Sequence, residues 1–270
     1  MMRAASPSLT GQPAPFAAPS FVFPGSVASN ARFLAGRVSE VALCLFENAA
    51  CLAYTESDLP PELCDLPLRW HVHLPFDLPW PDSPGAAACR PALDDVQRLM
   101  DKIARLAPHC AVMHAPPGRT ETRRELLRHA GRFWREHQDI PLLLENTHDC
   151  DVRELGEGFL EEAGLGFCLD VGHLLGYAQH ALRESSLPPR ASLIHWSAPC
   201  GRDAHAALTR FSPEELTQLA GLVPRLSAQA VHLLEIFRWQ ALEESLPVLA
   251  RLLSAPAQLP AQARQSRSIS

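Results

Sequence analysis

The stretch that most constrains this chain is Gly166-Phe167-Cys168-Leu169-Asp170-Val171-Gly172-His173, an apolar run that closes on an acid, a glycine and a histidine. Too short for a helix and bracketed by Gly164 and Gly172, it reads as a buried strand. A strand that is apolar on both faces belongs to a parallel sheet covered on both sides. Such sheets gather their chemistry at the carboxyl ends of the strands. Taken alone, Asp170 and His173 would read as a helix N-cap beside a loop histidine. The same design recurs along the chain, and the recurrence changes that reading.

Strands are expected at 20–25, 38–47, 68–74, 110–114, 141–145, 167–170, 192–196 and 230–235. Helical patterns lie between them. Val96, Leu99, Met100, Ile103 and Leu106 recur at helical spacing, and Ser212-Pro213-Glu214-Glu215 is a capping box with proline at the first helical position. The proline-rich segment 56–65 reads as mostly loop. Strict strand–helix alternation over eight units closes a single (β/α)8 TIM barrel, α/β in class. A chain of 270 residues, 47% hydrophobic, suits one such domain. It is expected to span 19–253, with flexible tails at 1–18 and 254–270.

The net charge of −6 and the lack of any basic run argue against a partner as anionic as long nucleic acid. The cations are nearly all arginine, Lys102 being the only lysine. The eight cysteines form no CxxC pair, and Cys44 and Cys168 sit inside apolar runs, so they read as small core residues in a reducing, cytoplasmic compartment. No secretory leader is read at the start, and no apolar run approaches the ~20 residues of a membrane span.

The strand ends carry the chemistry. The third strand gives His73, the fourth His114, the fifth Glu145, the sixth Asp170 with His173, the seventh His195 and the eighth Glu235; the loop after the seventh adds Asp203 and His205. All fall on one rim of the expected barrel. Five histidines and four carboxylates converging on one cavity would repel or take up protons unless compensated. Divalent cations remove that cost, and more than one is expected; a mixed N/O set accepts zinc, manganese or iron. His109, His129, His137 and His180 are expected on or beside helices and solvated, and His232 is expected to be structural. His71 shares the inward face with His73. His148 reads as an outer support of the ligands or a helix cap, and Glu47 as a candidate further contributor. There is no phosphate loop, no dinucleotide fingerprint and no Gly-x-Ser-x-Gly elbow, and Lys102 lies on a helix face away from any Schiff-base role.

At these residues the sequence resembles the xylose-isomerase-like barrel superfamily that includes endonuclease IV, over roughly residues 20–253. The motifs are His114-Ala115-Pro116-Pro117-Gly118, Leu169-Asp170-Val171-Gly172-His173 and Arg202-Asp203-Ala204-His205. The endonuclease IV branch implies up to three metals, typically zinc. His73, His114 and Glu145 would hold one; Glu145 would bridge to a second held by Asp170, His195 and Glu235; His173, Asp203 and His205 would hold the third. Basic DNA-binding loops are missing. Trp70-His71-Val72-His73-Leu74-Pro75, Asp77-Leu78-Pro79-Trp80 and His232-Leu233-Leu234-Glu235-Ile236-Phe237-Arg238-Trp239 look like the bacterial cobamide-remodelling phosphodiesterases of this superfamily. That likeness implies hydrolysis of the phosphodiester in a cobamide nucleotide loop, by a metal-bridging hydroxide attacking phosphorus. Glu145 would be the catalytic carboxylate. His71 or Arg238 would steady the substrate, and Trp80 and Trp196 would stack on its flat ring. The alternatives are a one-metal sugar or sugar-phosphate isomerase or epimerase using Glu145, Asp170, His195 and Glu235, an abasic-site endonuclease, and a non-catalytic metabolite binder. The expected partner is a small molecule, with neither nucleic acid nor membrane.

Overall fold

The computed structural model describes residues 14–201 and 205–254. The strands are β1 (Ala14–Pro19), β2 (Val38–Cys44), β3 (Arg69–His73), β4 (Ala111–Met113), β5 (Leu142–Glu145), β6 (Gly166–Asp170), β7 (Leu193–Trp196), β8 (Ala198–Pro199), β9 (His205–Ala206) and β10 (Val231–Leu234). Eight of them pair in parallel and close a barrel in the order β1-β10-β7-β6-β5-β4-β3-β2, while β8 and β9 form a small antiparallel hairpin above it. The chain is an α/β (β/α)8 TIM barrel, as its pattern of runs foretells.

Alternation along each strand sorts the side chains into two cores. Outward residues such as Leu142, Leu144, Leu169 and Ile194 join the large layer between barrel and helices. Inward residues are smaller. Val112, Leu143, Cys168 and Leu193 pack together, and Ala17, Ala42, Cys44 and Leu233 form a second inner group. Burial pushes the thiols of Cys44, Cys110 and Cys168 up to about 12, so all three are neutral fillers.

The first strand departs from expectation. It lies at Ala14–Pro19, all but its last residue within the segment expected as a tail, and pairs with β2 and β10. Its two prolines and alanines carry none of the β-branched signal of a strand. The proline lacking an N–H sits where the register shifts between Ala14 and Ala17. The 20–25 segment is instead the turn that follows, held by Asn30, whose side chain accepts hydrogen bonds from Val22 and Phe23 N–H at 2.8 and 3.1 Å. The remaining parts of the expected tails, apart from Ser254, lie outside the described residues.

A second departure concerns His71 and His109. His71 is fully buried inside the barrel, one inward position below His73, and donates through Nδ1 to Glu40 Oε1 at 2.6 Å. His109, expected to be solvated, donates through Nε2 to the same oxygen at 2.7 Å. With Nδ1 protonated, His71 presents a bare lone pair at Nε2, which has no partner; a buried lone pair is a smaller burden than a buried N–H. The trio therefore fits a hydrogen-bonded staple at the amino-terminal, stability-bearing end of the barrel better than a ligand site.

Candidate metal centre

The centre is built around Glu145, the last residue of β5 and 1% exposed. His73 Nε2 lies 3.0 Å from its Oε2, His195 Nδ1 3.4 Å and His114 Nε2 3.7 Å; His173 Nδ1 lies 3.3 Å from its Oε1. His195 Nδ1 also sits 3.1 Å from Glu235 Oε2 and 3.9 Å from Asp170 Oδ2. His205 on β9 brings Nδ1 to 3.6 Å from Glu235 Oε2. Two sets thus share one carboxylate: His73, His114 and Glu145, and Glu145, Asp170, His195 and Glu235, the donor atoms of each within 4.8 Å of one another. Cys168 approaches Glu145 and His195 from the layer below. Asp203 lies outside the described residues; the His173 and His205 rings are 5.9 Å apart.

Local chemistry explains why the sequence folds this way. Asp170 caps the helix Val171–Gly176, its Oδ1 accepting from His173 N–H at 2.5 Å, so a helix-cap role and a place in the cluster are compatible. Gly172 is required by a close approach, since a Cβ there would sit 2.3 Å from Ser197 Oγ. Asn146 and Gln179 are buried supports that sequence reasoning missed. The Asn146 side chain accepts from Asp170 N–H at 2.8 Å and donates to Asp170 C=O and Gln179 Oε1 at 2.9 Å each, replacing ladder bonds where β5 ends. The Asn directly after the Glu145 strand end was the available signal. His173 donates Nδ1–H to Asn146 C=O at 2.9 Å and His73 donates Nδ1–H to Leu74 C=O at 3.0 Å, which leaves Nε2 of each ring as the nitrogen for a ligand role; that of His73 meets Glu145 Oε2 at 3.0 Å.

The donor set fits divalent cations. Asp170 Oδ2, Glu235 Oε2 and both nitrogens of His195 are buried without a hydrogen-bond partner. His195 lies near three carboxylates, but no contact is aligned as a hydrogen bond. Burial favours neutral carboxyls, yet His195 and His114 hold Glu145 well below the usual range, and His195 and His205 do the same for Glu235. Asp170 is pushed up to about 6 by burial, with Glu145 and Glu235 adding to the effect and His173 opposing it. Burial disfavours the imidazolium of His173, but Asp170 and Glu145 override it and raise that group to about 10; burial likewise opposes the imidazolium of His195, which Cys168, Glu235 and Glu145 together raise well above the usual range. The cluster holds protons where cations would balance the same carboxylates.

Above the centre opens a cavity of about 750 Å³. Candidate ligand residues form its floor, and Phe46, Leu74, Phe76, Leu78 and Phe237 are among its walls. His148 lines it, bonded through Nδ1 to Asp149 at 2.7 Å. Several expected substrate contacts are elsewhere. Trp196 is fully buried and faces the helices, donating Nε1–H to His232 at 2.9 Å, because its neighbour His195 faces inward. His71 lies below the floor, and neither Trp80 nor the exposed Arg238 lines the cavity. Glu47 is exposed and precedes the short helix Asn48–Leu52 rather than joining the centre.

No protein-family model matches the sequence, and no curated protein does. Solved structures do match in fold. A D-tagatose 3-epimerase-like protein is 17% identical with a TM-score of 0.66, over 89% of this chain and 97% of that one. The likeness is one of fold, the (β/α)8 TIM barrel. Endonuclease IV from Thermus thermophilus gives 19% and 0.61, over 88% and 97%. Another Thermus thermophilus protein, from a ZnCl2 soak, gives 24% and 0.59, over 88% and 96%. Among the described residues no helix is long and apolar enough to cross a membrane.

Proposed function

We propose that the chain is a metal-dependent phosphodiesterase acting on a small molecule, with a cobamide nucleotide loop as the substrate its sequence motifs suggest. The observation that carries this reading is the sharing of Glu145 between two ligand sets. A single ion is served by Glu145, Asp170, His195 and Glu235, which leaves His73 and His114 for a second. His173 and His205, with Asp203, would complete a third. Bound ions, zinc first and manganese or iron next, would lower the pKa of water toward ~7 and neutralise charge on a phosphoryl group. Glu145 would hold the two sets together and orient or deprotonate the attacking water. Asn146 and Gln179 would keep Asp170 and His173 in place.

The second reading is a one-metal sugar epimerase. It is favoured by the compact four-residue set and by the likeness in fold to a D-tagatose 3-epimerase-like protein and a D-psicose 3-epimerase. In that reading His114 and His205 have no assigned task. Metal counting separates the two. Elemental analysis of freshly purified protein, and after reconstitution with zinc, manganese or iron, is expected to give two to three ions per chain. A ceiling of one would favour the epimerase, and so would conversion of free sugars with no product from cobamides.

A DNA substrate is disfavoured by charge. The net charge is −6, and Arg123 is the one Lys or Arg lining the cavity among the described residues; it is buried and donates to Pro116 C=O at 2.9 Å. Abasic duplex is therefore expected to bind no more tightly than about 10⁻⁵ M at physiological salt. Tight binding that weakens steeply with salt in a titration would reverse this assignment.

A further inference from the structure

We infer that the cavity has a built-in aromatic subsite, formed by Phe46 and Phe76 and backed by Phe21 and Phe237, that holds a flat apolar ring of the ligand beside the metal centre. The inference rests on the phosphodiesterase reading only for the phosphoryl group of the ligand.

The order of strands around the barrel divides its rim into two arcs. Strands β3 to β7 and β10 deliver the ligand residues His73, His114, Glu145, Asp170, His195 and Glu235. The strands between β10 and β3, namely β1 and β2, deliver none. The chain leaving β1 and β2, and that leaving the two ligand-bearing strands that flank them, places aromatic rings there. Phe21 follows β1, Phe46 follows β2, Phe76 follows β3 and Phe237 follows β10. Phe46 packs on Phe21 at 5.6 Å between centroids and on Phe237 at 5.5 Å, and Phe237 meets the His205 ring edge-on at 5.3 Å. Phe21, Phe46 and Phe237 therefore form a continuous row that ends at His205, a residue of the centre, and Phe76 lines the same cavity.

These rings are unusually open. Among the described residues, the exposed large hydrophobics are Phe46 at 42%, Phe76 at 61%, Leu216 and Leu253, and the two phenylalanines both line this cavity. Apolar surface concentrated at a pocket marks a ligand site rather than ordinary surface scatter. A small polyol would leave it wet. A planar heterocycle or macrocycle would cover it by offset or edge-to-face stacking, while its phosphoryl group reached the polar arc. No lysine or arginine on this arc offers an alternative ionic grip among the described lining residues.

The test measures binding, not turnover. Metal-loaded full-length protein is titrated with 1-naphthyl phosphate and with methyl phosphate, which share the phosphoryl group and differ in the ring. The naphthyl compound is expected to bind about tenfold tighter or more. Phe46→Ala and Phe76→Ala should each remove most of that preference while methyl phosphate affinity holds, and Phe76→Tyr should keep it. Phe76 is the safer variant for folding because it is the more exposed, and circular dichroism checks both. Equal affinity for the two phosphates in the wild type, parallel losses for both in the variants, or no binding of either overturns the inference. If the ring preference holds but no phosphodiester is cleaved, the phosphodiesterase reading fails and the subsite stands.

Discussion

Glu145→Gln is expected to abolish turnover and to strip metal from the protein while the barrel stays folded. The amide keeps the shape of the side chain and loses the charge that four imidazoles within 4 Å surround. Both ligand sets contain Glu145, so one substitution weakens both. The loss should exceed the roughly 10–100-fold typical of outer-sphere substitutions. His148→Ala supplies the comparison, because His148 lines the cavity with its Nδ1 bonded to Asp149. Activity on a cobamide phosphodiester, metal content and circular dichroism, measured on the same preparations, check this. Near-normal activity with full metal content in Glu145→Gln would refute the assignment of Glu145. Joint loss of metal and activity supports the bridging role. Separating a general-base role then needs a pH–rate profile, since a carboxylate base and metal-activated water titrate differently.

The parts of the centre that were legible in the sequence are those governed by alternation. Once Glu145 is placed at a strand end, Leu143 must share its face, and Cys168 with Asp170 and Leu193 with His195 follow the same rule. The rule was legible for Trp196 as well, and it runs against the expectation of stacking: a residue next to inward His195 must face outward. It places His71 inward with His73 but says nothing of depth, and the structure puts His71 beneath the floor. Long-range pairings were not legible. Glu40 meets His109 across 69 positions and Asn146 meets Gln179 across 33, with no local signal beyond residue type. The strand Ala14–Pro19 was hidden because its partners β2 and β10 supply the pairing that its own composition does not advertise.

Glu40 gives the second large expected effect, on stability rather than chemistry. Burial would raise its carboxyl, but hydrogen bonds from His109 and His71 dominate together and lower it from its ordinary 4.5 to about 2. That difference corresponds to about 3 kcal/mol at neutral pH, in line with the ~3–5 kcal/mol typical of removing one partner from a buried charged pair. Glu40 is 2% exposed, so solvent screening takes little from this figure. Glu40→Ala is therefore expected to destabilise the metal-free protein by about 3 kcal/mol at pH 7, a fall in Tm of roughly 5–10 °C for a chain of this size. The sign of the pH dependence follows from the lowered carboxyl. Its contribution is complete above the unfolded value near 4.5 and is lost as pH falls toward about 2. The gap between wild type and variant should not shrink between pH 7 and about 5, where Glu40 also favours the imidazolium of His71 against its burial and so widens it, and it should shrink as pH falls below about 4 and Glu40 protonates. The metal-centre carboxylates titrate in both proteins and cancel in the difference. Denaturant unfolding of both proteins in the presence of a chelator measures it. Equal stability at pH 7, or a gap unchanged at pH 3, would show that the Glu40, His71 and His109 trio does not staple the amino-terminal end of the barrel.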